Sequence, residues 1–186
     1  MFDLDRFAAD CRAALEQDRG GHRAVREVVA RAAAEPESVL AALGEPRRAG
    51  VQKLYHAPDL TILNVVWGPR MTIMPHNHRM WAVIGVYTCC EDNIFWRRVD
   101  GGGGRVEAAG AKALRAGDCA ALGKDIIHSV TNPIPRLTGA IHVYSGDFFR
   151  ADRSEWDPET LREQPYDVER TMRLFEETNA ALAPAH

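Results

Sequence analysis

The feature that most constrains this 186-residue chain is a series of short apolar segments between residues 51 and 146, separated by turn-forming residues. Many short strands at regular spacing predict an antiparallel sandwich or barrel. The breaks between them are rich in glycine, proline, asparagine and aspartate, at residues 68–69, 101–104, 116–118 and 132–135. We predict seven strands in this region, at residues 60–67, 80–88, 93–99, 106–114, 119–122, 126–130 and 137–144.

Helical patterns flank this region on both sides. In the first 45 residues, apolar side chains at helical spacing predict two helices separated by a glycine pair at 20–21, and a third between Pro36 and Gly44. Beyond the strands, a polar segment predicts extended chain over the surface, followed by a helix near residues 167–181. We therefore predict a single, mainly β domain over residues 1–186, with a helical extension (1–45), a β-barrel (51–146) and a C-terminal wrap and helix (147–186).

Composition argues against several classes of protein. The chain has 23 basic and 26 acidic residues, a net charge of −3, so no surface for nucleic acid or an anionic membrane is predicted. No apolar run approaches the roughly 20 residues that span a bilayer, and the first residues, which are acidic and amphipathic, do not resemble a signal peptide. We expect a soluble cytoplasmic protein whose four cysteines are reduced thiols.

The histidines in the middle of the chain indicate a metal site. His76 and His78 are two residues apart, so on a strand both imidazoles project to the same face. His128 interrupts an otherwise apolar strand and is the best candidate for a third ligand. Imidazole ligands suit Fe(II), Ni(II), Cu(II) or Zn(II). Three further histidines are predicted to be surface or core residues outside this site: His22, His56 and His186.

The spacing around these histidines resembles the cupin superfamily, whose fold is a double-stranded β-helix, a small antiparallel barrel. Gly117, His128 and Asn132 keep the offsets of the family's second motif, while His76 and His78 match the histidines of the first. The glutamate that normally follows these two histidines is missing, because alanine and valine occupy its expected positions. The resemblance implies a cupin barrel with N-terminal helices, a C-terminal helix and a metal site of three histidines.

A three-histidine cupin resembles the thiol dioxygenases, the group of cysteine and 3-mercaptopropionate dioxygenases. The run VVWGPRMTIMPHNHRMWAVIGV at residues 65–86 is similar to the corresponding run in bacterial members. The segment Ala140-Ile-His142-Val-Tyr144 resembles the family's Ser-x-His-x-Tyr strand, with alanine in place of the serine. The period of a strand puts these three named residues on one face, which we expect to line the barrel.

The resemblance implies the function as well. A small thiol, such as cysteine or a mercapto acid, would be oxidised to a sulfinate by dioxygen at an Fe(II) ion held by the three histidines; nickel or zinc could occupy the site in purified protein. Catalytic roles would fall to Tyr144, donating a hydrogen bond to dioxygen or substrate, and to His142, orienting that phenol. Gln52 and Arg70 are the candidates for contact with a substrate carboxylate.

Two other functions are compatible with the same residues. One is a three-histidine cupin dioxygenase that cleaves carbon–carbon bonds in a β-diketone or a similar substrate. The other is a cupin that binds a metal or ligand in a sensory or storage role, without catalysis. The partners expected for the enzyme are a small-molecule substrate and dioxygen, with no nucleic acid or membrane.

Overall fold

Four helices and eleven strands make up the computed structural model, which describes residues 1–182; His186 lies outside the described residues. Within that range, no helix is both long enough and apolar enough to cross a membrane. The helices are α1 (Leu4–Gln17), α2 (Arg23–Ala33), α3 (Pro36–Leu43) and α4 (Val168–Leu182). The strands are β1 (Gly50–Ala57), β2 (Leu60–Trp67), β3 (Thr72–Asn77), β4 (Ala82–Val86), β5 (Cys90–Arg98), β6 (Val106–Arg115), β7 (Cys119–Leu122), β8 (Ile127–Thr131), β9 (Thr138–Tyr144), β10 (Ser154–Trp156) and β11 (Glu163–Pro165).

The strand pairing defines the topology. β2 pairs with β9, β3 with β8, β4 with β7 and β5 with β6, all antiparallel, so these strands form one long hairpin wound into a helix. The winding distributes the strands over two sheets, in the orders β1-β2-β9-β4-β7 and β11-β10-β3-β8-β5-β6. This arrangement is a double-stranded β-helix, the jelly-roll architecture that cupins share. The predicted fold class is therefore confirmed: a mainly β double-stranded β-helix, a small antiparallel barrel, with N-terminal helices and a C-terminal helix.

The N-terminal helices cover the outer face of the first sheet. Val83 and Val143 project from that face into an apolar cluster with Phe7 of α1 and Val29 of α2. The approach of α2 is so close that a Cβ added at Gly85 of β4 would lie 2.7 Å from Cγ1 of Val29. The absence of a side chain at Gly85 therefore allows the helix to pack directly on the sheet.

Local sequence patterns predicted most of the regular elements. α1 begins after Asp3, whose carboxylate accepts a hydrogen bond from the backbone N–H of Arg6 at 2.8 Å. α3 begins at Pro36 and is followed by Gly44, as expected. Two strands coincide with their predicted bounds, β2 at residues 60–67 and β7 at 119–122. All four cysteines are free thiols, in agreement with the prediction.

Four strands, β1, β3, β10 and β11, are missing from the seven strands predicted from the apolar segments, although the spacing of His76 and His78 had indicated extended chain at β3. β3 contains Pro75 and ends in polar residues, so it lacks the alternation that marks a strand. β10 and β11 lie in the segment predicted as extended surface chain, and β10 pairs with β3, which puts Glu155 opposite His76. β3 pairs with β8 and β10, which are distant in the chain, and a local pattern does not reveal such pairing. β1 and β11 instead pair with the strands next to them in the chain, β2 and β10.

Candidate metal centre

Three histidines meet in the space between the two sheets. His76 is in β3, His128 lies opposite it in β8, and His78 follows the last residue of β3. The Nε2 atoms of His76 and His78 are 3.2 Å apart, and those of His78 and His128 are 3.3 Å apart. All three side chains are buried. The structure thus brings the three predicted ligands together, although His78 lies just beyond the strand on which it was expected.

The other ring nitrogen of two of these histidines faces a carbonyl oxygen. The Nδ1–H of His76 donates to the backbone oxygen of Met74 at 2.9 Å, and the Nδ1–H of His128 donates to Oδ1 of Asn93 at 2.8 Å. A neutral imidazole carries one N–H, so Nε2 of each ring has a lone pair. These lone pairs point into one small space, where a cation would relieve their mutual repulsion.

Burial keeps the three imidazoles neutral. It lowers the pKa of His76 to about 4, and it lowers the pKa values of His78 and His128 well below their usual range. The positive charge of Arg153 lowers the pKa values of His76 and His78 further. Neutral imidazole is the form that binds metal ions, so the protonation state fits a metal site.

The spacing of the three rings also fits one metal ion. Three nitrogens about 2.1 Å from an ion, at angles of about 90–109° to each other, lie about 3.0–3.4 Å apart. Both measured Nε2 separations fall in this range. The three histidines therefore form a group that could hold a metal ion, and their donor set favours a transition metal over magnesium or calcium.

His142 and Tyr144 lie beside this group on the inward face of β9. Nδ1 of His142 is 3.0 Å from the Tyr144 hydroxyl, and the ring centroids of Tyr144 and His78 are 5.0 Å apart. Burial lowers the pKa of His142 to about 3 and raises that of Tyr144, so both are neutral near pH 7. Nε2 of His142 is buried and has no hydrogen-bond partner within residues 1–182.

Glu91 is a buried acidic residue that the sequence analysis did not assign to this site. Its Oε2 accepts a hydrogen bond from the Trp67 indole at 2.7 Å, and its Oε1 accepts one from the Asn93 amide at 3.0 Å. Oε2 also lies 3.9 Å from Nε2 of His142, and a carboxylate there favours the His142 tautomer with its proton on Nε2. Nδ1 of His142 then accepts a hydrogen bond from the hydroxyl of Tyr144. The available sequence signal was the spacing of Glu91 and Asn93, which puts two polar side chains on one face of β5.

A cavity of about 290 Å³ opens beside the three histidines, and its walls are mostly apolar. Among the described residues that line it, Arg153 is the cationic one, with its guanidinium 4.1 Å from the ring centroid of Phe148 and 4.2 Å from that of Tyr166. The ion pairs formed within residues 1–182 do not include Arg153. The sequence analysis missed this residue because it lies in the polar segment that was predicted to wrap over the surface.

Gln52 and Arg70, the two residues predicted to contact a substrate carboxylate, are both exposed. Gln52 lies in β1, where its side-chain oxygen accepts a hydrogen bond from Asn64 at 3.3 Å. Arg70 lies in the turn before β3 with a φ of 57°. Neither residue is among the described residues that line the cavity, and the structure alone does not test whether either one contacts a substrate.

Comparison with known proteins shows a likeness of fold. No family model matches the chain. A conserved Klebsiella pneumoniae protein with a double-stranded β-helix domain is 15% identical, with a TM-score of 0.47 over 61% of this chain and 90% of that one. An RmlC-like cupin from Methanocaldococcus jannaschii is 10% identical, with a TM-score of 0.47 over 56% and 86% of the two chains. The DMSP lyase DddQ from Ruegeria pomeroyi is 15% identical, with a TM-score of 0.47 over 60% and 53%.

Proposed function

We propose that this protein is an Fe(II)-dependent dioxygenase that oxidises a small thiol carrying a carboxylate, such as cysteine or a mercapto acid, to a sulfinate. The overall reaction is RSH + O2 → RSO2H, in which both oxygen atoms are added to the sulfur. The supporting observation is that one cavity holds three buried neutral imidazoles and a cation without a carboxylate partner in the described residues. Such a cavity suits a molecule with a metal-binding group at one end and a negative charge at the other.

The metal would be held by His76, His78 and His128. An Fe(II) ion bound there would supply a redox-active centre with open coordination positions for a thiolate and for dioxygen. Because all three ligands are neutral, the site would retain the full charge of the ion and so favour the thiolate form of the substrate. The carbonyl oxygens of Met74 and Asn93 hold two of the rings in the orientation that exposes Nε2.

Arg153 would bind the substrate carboxylate. Its guanidinium lies between two aromatic rings, which restrict its motion and so preorganise it for an anion. The effect of its charge on the pKa values of His76 and His78 reflects its closeness to the metal ligands. A carboxylate held by Arg153 would therefore position the rest of a small substrate beside those ligands.

Tyr144 would contribute the polar contact at the reacting end. It has a single O–H, which donates a hydrogen bond to Nδ1 of His142 in this structure. An oxygen atom of the substrate or of dioxygen would compete with His142 for this hydrogen bond. The phenol stays neutral because burial raises its pKa. The apolar walls around it exclude water, which strengthens each of these polar contacts.

Oxygen uptake by anaerobically iron-loaded protein, measured with a panel of thiols, tests this function. We expect one O2 to be consumed for each sulfinate formed from cysteine or 3-mercaptopropionate, and little uptake with cysteamine, which has no carboxylate. Arg153→Met should raise KM about 10–100-fold, because a hydrogen bond to a charged group contributes about 1.5–3 kcal/mol. Arg150→Met is the matched control, since that side chain is 89% exposed. Iron-loaded protein that consumes no oxygen with any thiol would reject the proposal.

The apolar walls of the cavity favour a second candidate, the oxidative cleavage of a β-diketone. Oxygen uptake with acetylacetone and none with thiols would select that reaction. Tight binding of metal and thiol without any oxygen uptake would instead indicate a ligand-binding protein. Oxygen uptake together with a measurement of metal and thiol binding therefore separates all three functions.

A further inference from the structure

A buried carboxylate that the proposed chemistry does not use lies behind His128. The side chain of Glu91 has no exposed surface, and it forms no ion pair with a lysine or arginine within residues 1–182. Burying a carboxylate is costly unless hydrogen bonds replace its water. Two N–H groups do so: the Trp67 indole donates to Oε2 at 2.7 Å, and the Asn93 amide donates to Oε1 at 3.0 Å.

The chain of hydrogen bonds continues from Asn93 to a candidate metal ligand. Because Nδ2 of Asn93 donates to Glu91, its Oδ1 faces His128 and accepts from Nδ1–H at 2.8 Å. An amide turned the other way would present N–H groups to that nitrogen. Nδ1 of His128 would then have to accept, and the ring proton would move to Nε2. With a proton on Nε2, His128 has no lone pair for a metal at that atom.

We propose that Glu91 is a positioning residue of the metal centre, which fixes the orientation of the Asn93 amide and thereby selects the His128 tautomer with Nε2 free to bind a metal ion. This inference rests on the proposed metal site and not on the identity of the substrate. A carboxylate is required because it accepts hydrogen bonds at both oxygens. A glutamine has one acceptor oxygen and cannot serve both Trp67 and Asn93.

Glu91→Gln tests the proposal, with Zn²⁺ as the probe and a chromophoric chelator as the competitor, so that metal binding is measured without turnover. The side-chain NH2 group of the glutamine must face either the Trp67 indole or the Asn93 amide. Both of these groups are donors, so it meets a second N–H group in either orientation. When it faces Asn93, that amide turns and His128 adopts the wrong tautomer. We expect the zinc affinity to fall about 10–100-fold, as is typical when a hydrogen bond to a metal ligand is lost. Glu107→Gln, which changes a partly exposed carboxylate on β6, is the control and should bind zinc normally.

A second substitution distinguishes positioning from packing. Trp67→Phe removes the indole donor, so that in the Trp67→Phe/Glu91→Gln double variant the glutamine oxygen is able to accept from Asn93. We expect the double variant to bind zinc at least about fivefold more tightly than Glu91→Gln, with Trp67→Phe as the reference. If Glu91 only supported packing, the losses of zinc affinity caused by Glu91→Gln and by Trp67→Phe would add in the double variant. That result would overturn the proposal.

A measurement on the unsubstituted protein covers the case in which Glu91→Gln does not fold. Long-range ¹H–¹⁵N correlation spectra of the metal-free protein distinguish the two tautomers of His128. The Nδ1–H form supports the proposal, whereas an Nε2–H form would overturn it, as would undiminished zinc affinity in Glu91→Gln. None of these measurements involves oxygen chemistry, so a failure of the proposed dioxygenase activity would be recognised separately.

Discussion

The two faces of β9 are equally buried and chemically opposite. Ile141 and Val143 project outward and pack against α1 and α2 in a purely apolar cluster. His142 and Tyr144 alternate with them and project inward to line the cavity. None of these four side chains is more than 3% exposed. Burial alone therefore does not explain why one face is aliphatic and the other carries a histidine and a phenol.

The difference lies in what each face packs against. The outward face meets the apolar stripes of two helices, so complementary shape is sufficient and aliphatic side chains stabilise it most. The inward face keeps one polar atom, Nε2 of His142, for which the described residues provide no hydrogen-bond partner. Such atoms lower stability, and proteins retain them mainly where they contribute to a functional site. We therefore expect the side chains of the outward face to contribute mainly to stability, and those of the inward face to contribute mainly to the proposed functional site.

The largest effect is expected on the outward face. Ile141→Ala should lower the free energy of unfolding by about 2–5 kcal/mol, because it removes buried methyl groups and leaves a cavity beneath the helices. Urea denaturation in the presence of a chelator measures this change. The zinc affinity of the folded variant should stay within about twofold of the unsubstituted value, since the two faces make separate contacts. A tenfold loss of zinc affinity would contradict the separation of the two faces.

The next largest effect concerns the metal. His128→Ala should lower the zinc affinity at least about 100-fold, which is about 2.7 kcal/mol, because it removes one of the three proposed ligands. Competition with a chromophoric chelator measures the affinity. His56→Ala, at a partly exposed position paired with Asp147, is the control and should bind zinc normally. Unchanged affinity in His128→Ala would rule out the three-histidine site.

The inward face should also make the metal-free protein sensitive to acid. The pKa of His142 is lowered to about 3 in the folded state, so between pH 3 and its ordinary value of 6.5 only the unfolded chain is protonated there. The free energy of unfolding therefore falls as the pH drops below 6.5, with up to about 1.4 kcal/mol per pH unit from this residue. The free energy of unfolding, measured by urea denaturation at pH 7, 6 and 5, should depend less steeply on pH in His142→Gln than in the unsubstituted protein. Val143→Ala should show the same pH dependence as the unsubstituted protein. An equal pH dependence in the unsubstituted protein and in both variants would refute the contribution of His142.

A smaller effect is expected when only the phenol hydroxyl is removed. Tyr144→Phe should lower kcat about fivefold with little change in KM, because one neutral hydrogen bond contributes about 1 kcal/mol. Steady-state oxygen uptake with the best thiol measures both constants. Tyr87→Phe is a matched control, because its hydroxyl is also buried but donates to Asn64 at 2.8 Å and does not line the cavity. Equal kcat values for the two variants would exclude a role of Tyr144 in the reaction.

The smallest effects are expected at Gln52 and Arg70. Both are exposed and lie outside the described cavity lining, so we expect Gln52→Ala and Arg70→Ala to change KM by less than about twofold. Arg153→Met, measured in the same assay, provides the contrast. A tenfold increase in KM for either alanine variant would mean that the substrate extends beyond the cavity.

Prediction from the sequence succeeded where the pattern was local. Periodicity predicted the bounds of β2 and the inward positions of His142 and Tyr144. Single capping residues predicted the ends of α1 and α3. The apolar pattern gave no bounds for β3, which contains a proline and has no alternation, or for β10, a three-residue strand that pairs with both β11 and β3. Strands of this kind gain their hydrogen bonds from remote partners, so their own residues carry little signal.

The amino-acid sequence by itself determined the barrel, its flanking helices and the three imidazoles, because alternation, turn residues and histidine spacing are properties of neighbouring residues. Only the tertiary structure decided which charged groups join that site. The sequence predicts that Arg153 lies on the surface, whereas in the structure its guanidinium packs against the rings of Phe148 and Tyr166. The proposed role of Glu91 depends on its hydrogen bonds with Trp67 and Asn93. Whether a charge is buried depends on what the rest of the chain packs over it, and short-range patterns do not contain that information.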